Sequence, residues 1–152
     1  MSNLTHLDSS GKAHMVDVGS KSVTRRSASA TGLVVMKPET LNAIYDSQIS
    51  KGEVLAVARI AGIMAAKQTD KLIPLCHSLG LDSVEIQFSK VGSDRIRIDS
   101  HVSCTGKTGV EMEAIIATSI SAATIYDMCK AIDRGMIISE IKLVSKTGGK
   151  SG

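Results

Sequence analysis

The fold is decided by residues 105–132, which read TGKTGVEMEAIIATSISAATIYDMCKAI. Thr108 and Glu111 have the T-x-x-E spacing of a capping box, and this spacing predicts a helix that begins there. Gly135 follows the last periodic residues and predicts the stop at the C′ position. At about 1.5 Å per residue the helix would span roughly 37 Å. A helix of that length should cross the whole of so small a protein.

Two shorter helices are predicted before the long one. Pro38 suits the first turn of a helix. Ser50 and Glu53 repeat the capping-box spacing, so a second helix should start at Lys51. Lys51 would then place a cation in a first turn, where the helix dipole favours anions. Either it is a solvated lysine, or it lies beside amide groups to bind an anion. The helix should turn one face of small residues to a neighbour: Leu55, Ala58, Gly62, Ala65 and Ala66.

Extended segments account for most of the remaining chain. Alternating or apolar runs predict strands, with a brief one at 15–18 and longer ones at 24–36, 84–88, 95–102 and 136–144. Residues 92–94 supply a turn between the two middle strands, which therefore form an antiparallel hairpin. The resulting order is the split β-α-β-β-α-β pattern. It predicts a ferredoxin-like α+β sandwich, with an antiparallel sheet and the helices on one face.

Length and composition set wider limits. The 152 residues predict a single domain, 1–152, with flexible ends at about 1–12 and 147–152. A net charge of +3 and only 2% aromatic residues argue against nucleic acid and suit a phosphorylated small molecule. Three scattered cysteines favour a reducing compartment, and no apolar run reaches the roughly 18 residues of a membrane span. We therefore expect a cytoplasmic protein without membrane partners.

Two familiar kinds of site, a P-loop and a zinc site, do not fit this sequence. The turn TGKTG suggests a P-loop, but that motif needs a glycine where this chain has His101. Backbone N–H groups of the turn could still bind an anion at the helix N-terminus. A zinc site could combine Cys76 and His77 with His101 and Cys104. His101 and Cys104 are three residues apart on a predicted strand and should face opposite sides, so no metal site is predicted.

The long helix carries ionisable residues near both ends. Met112, Ile116, Ile120 and Ala123 form an apolar row that Asp127 and Lys130 continue. Asp127 and Lys130 are either an i,i+3 ion pair on the surface or an acid–base pair at a pocket rim. Glu113 lies 14 residues before Asp127, about 21 Å along one helix. The two carboxylates therefore serve opposite ends of an extended substrate, or a site assembled from two subunits.

Across nearly its whole length the sequence resembles the cyclic pyranopterin monophosphate synthases of molybdenum cofactor biosynthesis. LIPLCH and TGKTGVEMEA together are the most specific part of this resemblance. The matching stretches are MVDV (15–18), ARIAGIMAAK (58–67), LIPLCH (72–77), TGKTGVEMEA (105–114) and YDMCKA (126–131). The resemblance implies a ferredoxin-like subunit in a homohexamer, a trimer of dimers with sites at subunit interfaces.

The resemblance also implies an activity, a substrate and a set of site residues. Such enzymes convert 3′,8-cyclo-7,8-dihydroguanosine 5′-triphosphate into cyclic pyranopterin monophosphate and diphosphate. Asp127, Lys51 and Lys130 match the catalytic positions of the family. The substrate-binding positions correspond to Leu75, Cys76, His77, Met112, Glu113, Glu111, Arg26 and Lys146. No metal or organic cofactor is implied, although Mg²⁺ could accompany the triphosphate.

These residues suit the chemistry, and two other functions compete with it. Lys51, Arg26 and Lys146 would neutralise the triphosphate, while Asp127 and Lys130 would exchange protons during ring opening and closure. The competing hypothesis is a non-catalytic nucleotide-binding regulatory oligomer, which would not need Asp127. An RNA-binding ferredoxin-like domain is disfavoured, because the central strands lack aromatic residues for base stacking.

Overall fold

The computed structural model describes residues 4–149, so the flexibility expected for 1–3 and 150–152 lies outside the described residues. Eight elements follow one another along the chain, and all except α3 were predicted. They are β1 (Thr24–Val35), α1 (Pro38–Tyr45), α2 (Val54–Lys67), α3 (Thr69–Leu72), β2 (Leu81–Val91), β3 (Arg95–Gly106), α4 (Glu111–Cys129) and β4 (Ile137–Thr147).

The four strands form one antiparallel sheet in the order β2-β3-β1-β4. This order, with helices after β1 and β3, is the split β-α-β arrangement that the sequence predicted, and the fold prediction is confirmed. The predicted hairpin is also present, with the turn at 92–94 between β2 and β3. Along β1 alternate residues from Arg26 to Val34 are buried, because successive side chains of a strand point to opposite faces.

Helices α2 and α4 pack closely because small residues line their contact. Ala58 and Gly62 of α2 are buried, and the Ser121 hydroxyl of α4 donates a 3.1 Å hydrogen bond to the Ala58 carbonyl. A Cβ atom at Gly62 would overlap the Ser121 and Ile86 side chains and lie 2.8 Å from the Ala117 carbonyl oxygen. The predicted small-residue face of α2 is therefore confirmed, with Leu55 only partly buried beside it.

The predicted bounds of the long helix are wrong at both ends. Helix α4 begins at Glu111 with Val110 as N-cap, and no side chain caps it. Thr108 does not cap the helix because the fully buried Val110 fills the core at that point, and Glu111 instead pairs with Lys146. At the other end α4 stops at Cys129, and the Gly135 N–H donates to Asp133 rather than closing the helix.

The predicted start of the second helix is wrong as well. Helix α2 begins at Val54 with Glu53 as N-cap, again without a side-chain cap. Gly52 has φ +111, a left-handed conformation that interrupts any helix started at Lys51. Lys51 therefore lies in a turn outside the helix. Its ammonium contacts Asp127 of α4, at the backbone carbonyl and at the carboxylate.

Two smaller expectations also need correction. The brief strand predicted at 15–18 is absent, and these residues pair with no strand among residues 4–149. Part of the expected break at 70–80 is the short helix α3, after which residues 75–77 lie against the start of α4. Pro38 does occupy the first turn of α1, as predicted.

Replacing Gly62 with alanine should destabilise the fold, because the new methyl group meets atoms of both α4 and β2. We expect the free energy of unfolding to fall by about 1–3 kcal/mol, the usual cost of overpacking a tight core. Urea titration followed by circular dichroism measures it. Gly80→Ala is the matched control, since a Cβ there meets no atom within 4 Å. Equal stabilities of the two variants would contradict the packing argument.

Candidate functional site

A cavity of 280 Å³ lies at the N-terminal end of α4. Six predicted substrate-binding residues line it, although they come from two separate stretches of the chain. They are Leu75, Cys76, His77, Glu111, Met112 and Glu113. The loop after α3 supplies the first three, and the first turn of α4 supplies the others. The fold thus joins the two most specific motifs of the sequence in one cavity.

Glu113 is the unusual group of this cavity. Its side chain is only 4% exposed, and its Oε2 atom has no hydrogen-bond partner among residues 4–149. Burial raises the pKa of Glu113 from 4.5 to about 7, and the neighbouring carboxylates Glu111 and Asp70 add to the rise. A buried carboxyl with a free oxygen can bind a ligand that offers a donor, and near neutral pH it can also exchange a proton.

Cys76 and His77 also line the cavity. Burial raises the pKa of the Cys76 thiol, and the charge of Glu113 raises it further, so this cysteine stays protonated at neutral pH. The Nε2 atom of His77 lies 2.6 Å from the Val16 carbonyl oxygen. Because a carbonyl only accepts, Nε2 carries the hydrogen and donates it. His77 therefore joins the cavity to the N-terminal segment.

Arg26 and Lys146 flank this end of the molecule from the sheet. Arg26 is only 7% exposed, and its Nε donates a 2.9 Å hydrogen bond to the Gly106 carbonyl. The Lys146 ammonium lies 3.4 Å from Glu111 Oε1, so it meets a residue that lines the cavity. Both cations are thus held beside the cavity, but neither is part of its lining.

The three predicted catalytic residues meet at the other end of α4. The Lys130 ammonium donates to Asp127 Oδ1 at 2.8 Å, and the Lys51 ammonium lies 3.6 Å from Oδ2. Lys51 also donates to the Asp127 backbone carbonyl at 3.0 Å. The hydrogen bond from Lys130, followed by the charges of both lysines, lowers the pKa of Asp127; the same contact raises that of Lys130. The exposed fraction of the Asp127 side chain is 58%.

The two groups of residues do not meet within one chain. Helix α4 is continuous from Glu111 to Cys129, so it contains both Glu113 and Asp127. Their separation is about 21 Å along the axis, as the sequence predicted. The structure therefore brings together six of the predicted binding residues at one end and the three predicted catalytic residues at the other.

The sequence analysis missed one wall of the cavity. Five residues of the N-terminal segment line it: Thr5, His6, Val16, Val18 and Lys21. Val16 and Val18 fall in the MVDV stretch that matches the family, but the spacing of the five residues taken together follows neither a helix nor a strand. Two further findings concern the described residues 4–149. No three His, Cys, Asp or Glu side chains are grouped as a metal ion would require. No helix there combines the length and apolarity that crossing a bilayer demands.

The fold and this cavity define a class of protein: a ferredoxin-like α+β subunit that binds a small, polar molecule beside its last helix. Within that class the chain belongs to the MoaC family, whose family model matches residues 15–149. A relative in Chloroflexus aurantiacus is 59% identical over 98% of this chain and 92% of its own length. Relatives in Desulfitobacterium hafniense (57%, covering 98% and 91%) and Pelotomaculum thermopropionicum (56%, covering 100% and 90%) are equally complete matches. All three are named cyclic pyranopterin monophosphate synthase.

The raised pKa of Glu113 predicts a pH-dependent stability. Between pH 4.5 and about 7 the folded chain keeps a proton that the unfolded chain has released. The free energy of unfolding should therefore fall as the pH rises through this window, by about 3 kcal/mol at most. Glu113→Gln should lack this loss, because glutamine does not titrate.

Urea unfolding at several pH values between 5 and 8 measures the effect. Glu85→Gln, at an exposed position of β2, is the control and should keep the wild-type slope. Identical pH slopes in Glu113→Gln and the wild type would show that the buried carboxyl is not the source.

Proposed function

We propose that this chain is a cyclic pyranopterin monophosphate synthase. It is a lyase of molybdenum cofactor biosynthesis that converts 3′,8-cyclo-7,8-dihydroguanosine 5′-triphosphate into the cyclic monophosphate and releases diphosphate. The observation that carries the proposal is the cavity, in which the two family-specific motifs contribute six side chains to one site. The names of the relatives point to the same product.

Acidic groups and hydrogen-bond acceptors suit the guanine-derived end of this substrate. A guanine-type ring presents N–H donors, and the free Oε2 of Glu113 offers an acceptor inside a shielded cavity. With a pKa of about 7, Glu113 can accept in its ionised form or donate in its protonated form. The lining thus suits a ring whose protons move during the reaction.

The triphosphate end requires cations. Arg26, Lys146 and Lys51 are the proposed phosphate-binding side chains. They would stabilise diphosphate as it leaves, because developing negative charge is best met by positioned ammonium and guanidinium groups. Lys146 already pairs with Glu111 at the cavity, so it can shift to a phosphate oxygen without crossing the molecule.

Proton transfer is assigned to Asp127 and Lys130. Their 2.8 Å contact provides an ionised carboxylate beside an ammonium, the starting state for a base and an acid. Both are exposed in the isolated chain, where solvent screens their charges. Covering them on assembly would bring their pKa values closer to neutrality, because desolvation disfavours the charged forms.

The assembly that we propose is a homohexamer, a trimer of dimers, with each site formed at a subunit interface. The 21 Å between the two groups of residues on α4 supports this, because only a second chain can bring Asp127 to the cavity. Exposed apolar side chains on α2 and β4 support it too, since surfaces of this kind are usually covered. They include Ile60, Met64, Ile137 and Val144.

The proposal also includes the cofactor requirement of the reaction and its compartment. The reaction needs no resident metal or organic cofactor, and Mg²⁺ enters only as a companion of the triphosphate. The compartment is the cytoplasm. It supplies a guanosine triphosphate-derived substrate and keeps the three thiols reduced.

Asp127→Asn should abolish turnover while the chain still folds. Asparagine keeps the shape but cannot take up a proton, so we expect a rate loss of at least about 100-fold. Lys51→Ala should have a similar effect through the lost charge. The assay measures formation of the cyclic monophosphate from the cyclic triphosphate substrate, with circular dichroism to check folding.

Lys142→Ala, at an exposed position of β4, is the control for loss of one surface lysine. Wild-type rates in Asp127→Asn or Lys51→Ala would remove the roles assigned to them. A regulatory nucleotide-binding oligomer predicts that the substrate binds to the wild-type protein but no product forms.

Mixing two inactive variants tests the shared site directly. If Asp127 and Glu113 of one site belong to different chains, co-expressed Asp127→Asn and Glu113→Ala subunits can form one intact site per mixed dimer. Random pairing should restore about one quarter of wild-type activity, since half of the dimers are mixed and half of their sites are intact. If both residues of each site came from one chain, no mixing ratio would restore turnover.

A further inference from the structure

The N-terminal segment forms a cavity wall to which no function has been assigned above. We call residues 5–21 the strap. Its backbone turns back on itself through a bridge between Leu7 and Ala13, and the His14 N–H donates to the His6 carbonyl at 2.9 Å. The strap is thus a built part of the site, and it places Lys21 in the cavity lining.

Two side chains from the body of the protein hold the strap in place. His77 donates to the Val16 carbonyl at 2.6 Å, and Lys107 donates to the Gly19 carbonyl at 3.2 Å. The Gly19 N–H in turn donates to Asp17 Oδ1 at 2.8 Å, which fixes the turn just before Lys21.

Lys21 lines the cavity from an exposed position at the end of the strap. Among residues 4–149 its ammonium makes no ion pair and no hydrogen bond. Of the two carboxyls in the same lining, Glu111 pairs with Lys146, while Glu113 is buried with a pKa near 7. A cation facing a partly enclosed space without a counter-ion attracts an anionic ligand, because the low-dielectric walls strengthen the interaction.

We propose that Lys21 binds the phosphate chain of the substrate, and that Lys107 positions it by holding the strap at Gly19. This assignment rests on the proposed function in taking the ligand to be a nucleoside triphosphate derivative. It adds a cation to Arg26 and Lys146 at the cavity end of the molecule. The free Oε2 of the buried Glu113 is the independent sign that the same cavity receives a ligand.

Steady-state kinetics on the full chain test the binding role. Lys21→Ala should raise KM for the cyclic triphosphate roughly 10- to 100-fold, the usual effect of losing one charge-assisted contact. The turnover number should change by less than about threefold, since the contact serves the ground state and the transition state alike. Inhibition by inorganic diphosphate should weaken in parallel, and Lys21→Arg should recover most of both properties.

Lys12→Ala is the matched control, because Lys12 belongs to the same strap but does not line the cavity. Its KM and its inhibition by diphosphate should stay within about twofold of the wild type, as expected for an exposed lysine without a ligand. If Lys21→Ala behaved like Lys12→Ala in both measurements, the proposal would be overturned.

The positioning role of Lys107 has a separate signature. Lys107→Met should raise KM without a comparable change in turnover number, and the double variant with Lys21→Ala should be no worse than Lys21→Ala alone. Two groups that act through one contact are non-additive in this way. Additive effects of the two substitutions would show that Lys107 does not act through Lys21.

Calorimetric titration with inorganic triphosphate tests the anion site at Lys21 independently of the proposed enzymatic activity. It measures anion binding even if the wild-type protein forms no product. Weaker binding by Lys21→Ala than by Lys12→Ala supports the anion site in either case. Equal binding by the two variants contradicts it in either case, whatever the outcome of the product assay.

Discussion

Close contact between α2 and α4 is the constraint on which the rest of the structure depends. Gly62 lets the two helices approach until the Ser121 hydroxyl reaches the Ala58 carbonyl. Any larger side chain would separate them, because well-packed interiors leave no space for an additional methyl group. Because α4 packs against both α2 and the sheet, it is held as a rigid element. Its two ends then present functional groups at a fixed separation.

The fixed length of α4 has a direct functional consequence. A carboxyl with a raised pKa lies in the first turn, and a carboxylate with a lowered pKa lies in the last turns. Burial produces the first shift and contact with two lysines produces the second, so two chemically similar groups acquire opposite protonation behaviour on one helix. Helix α4 keeps these two carboxyl groups apart within one chain. The proposed site therefore needs a second chain.

Much of the fold could be predicted from hydrophobic periodicity. The alternating strands, the hairpin turn at 92–94 and the small-residue face of α2 all depend on local patterns that the structure keeps. The helix starts were predicted less well. Both capping-box predictions failed because burial of Val110, and the left-handed Gly52, set the real boundaries. Capping energies of about 1 kcal/mol are smaller than the gain from filling the core.

The candidate site, like the fold, was predicted only in part from the sequence. By resemblance the sequence named the six side chains that meet in the cavity, and the helical rise of about 1.5 Å per residue gave the distance between Glu113 and Asp127. It could not show that Glu113 is buried with a free oxygen, because burial depends on distant segments that pack over it. Of the strap, the sequence indicated only the MVDV stretch, and it did not show that five strap residues line the cavity.

By itself, therefore, the sequence determined the order of the four strands and the three longer helices, the buried face of α2 and the chemical types of the site residues. These follow from local periodicity and side-chain chemistry, which are properties of neighbouring residues. The sequence did not determine the buried face of α4, where Ala114, Ala117 and Ile125 are buried while Ala123 of the predicted apolar row is exposed. Only the tertiary structure decided which of the site residues meet, which carboxyl loses water and which lysine lies in the cavity lining. Solvation and charge pairing depend on contacts between segments far apart in the chain, and no local pattern encodes them.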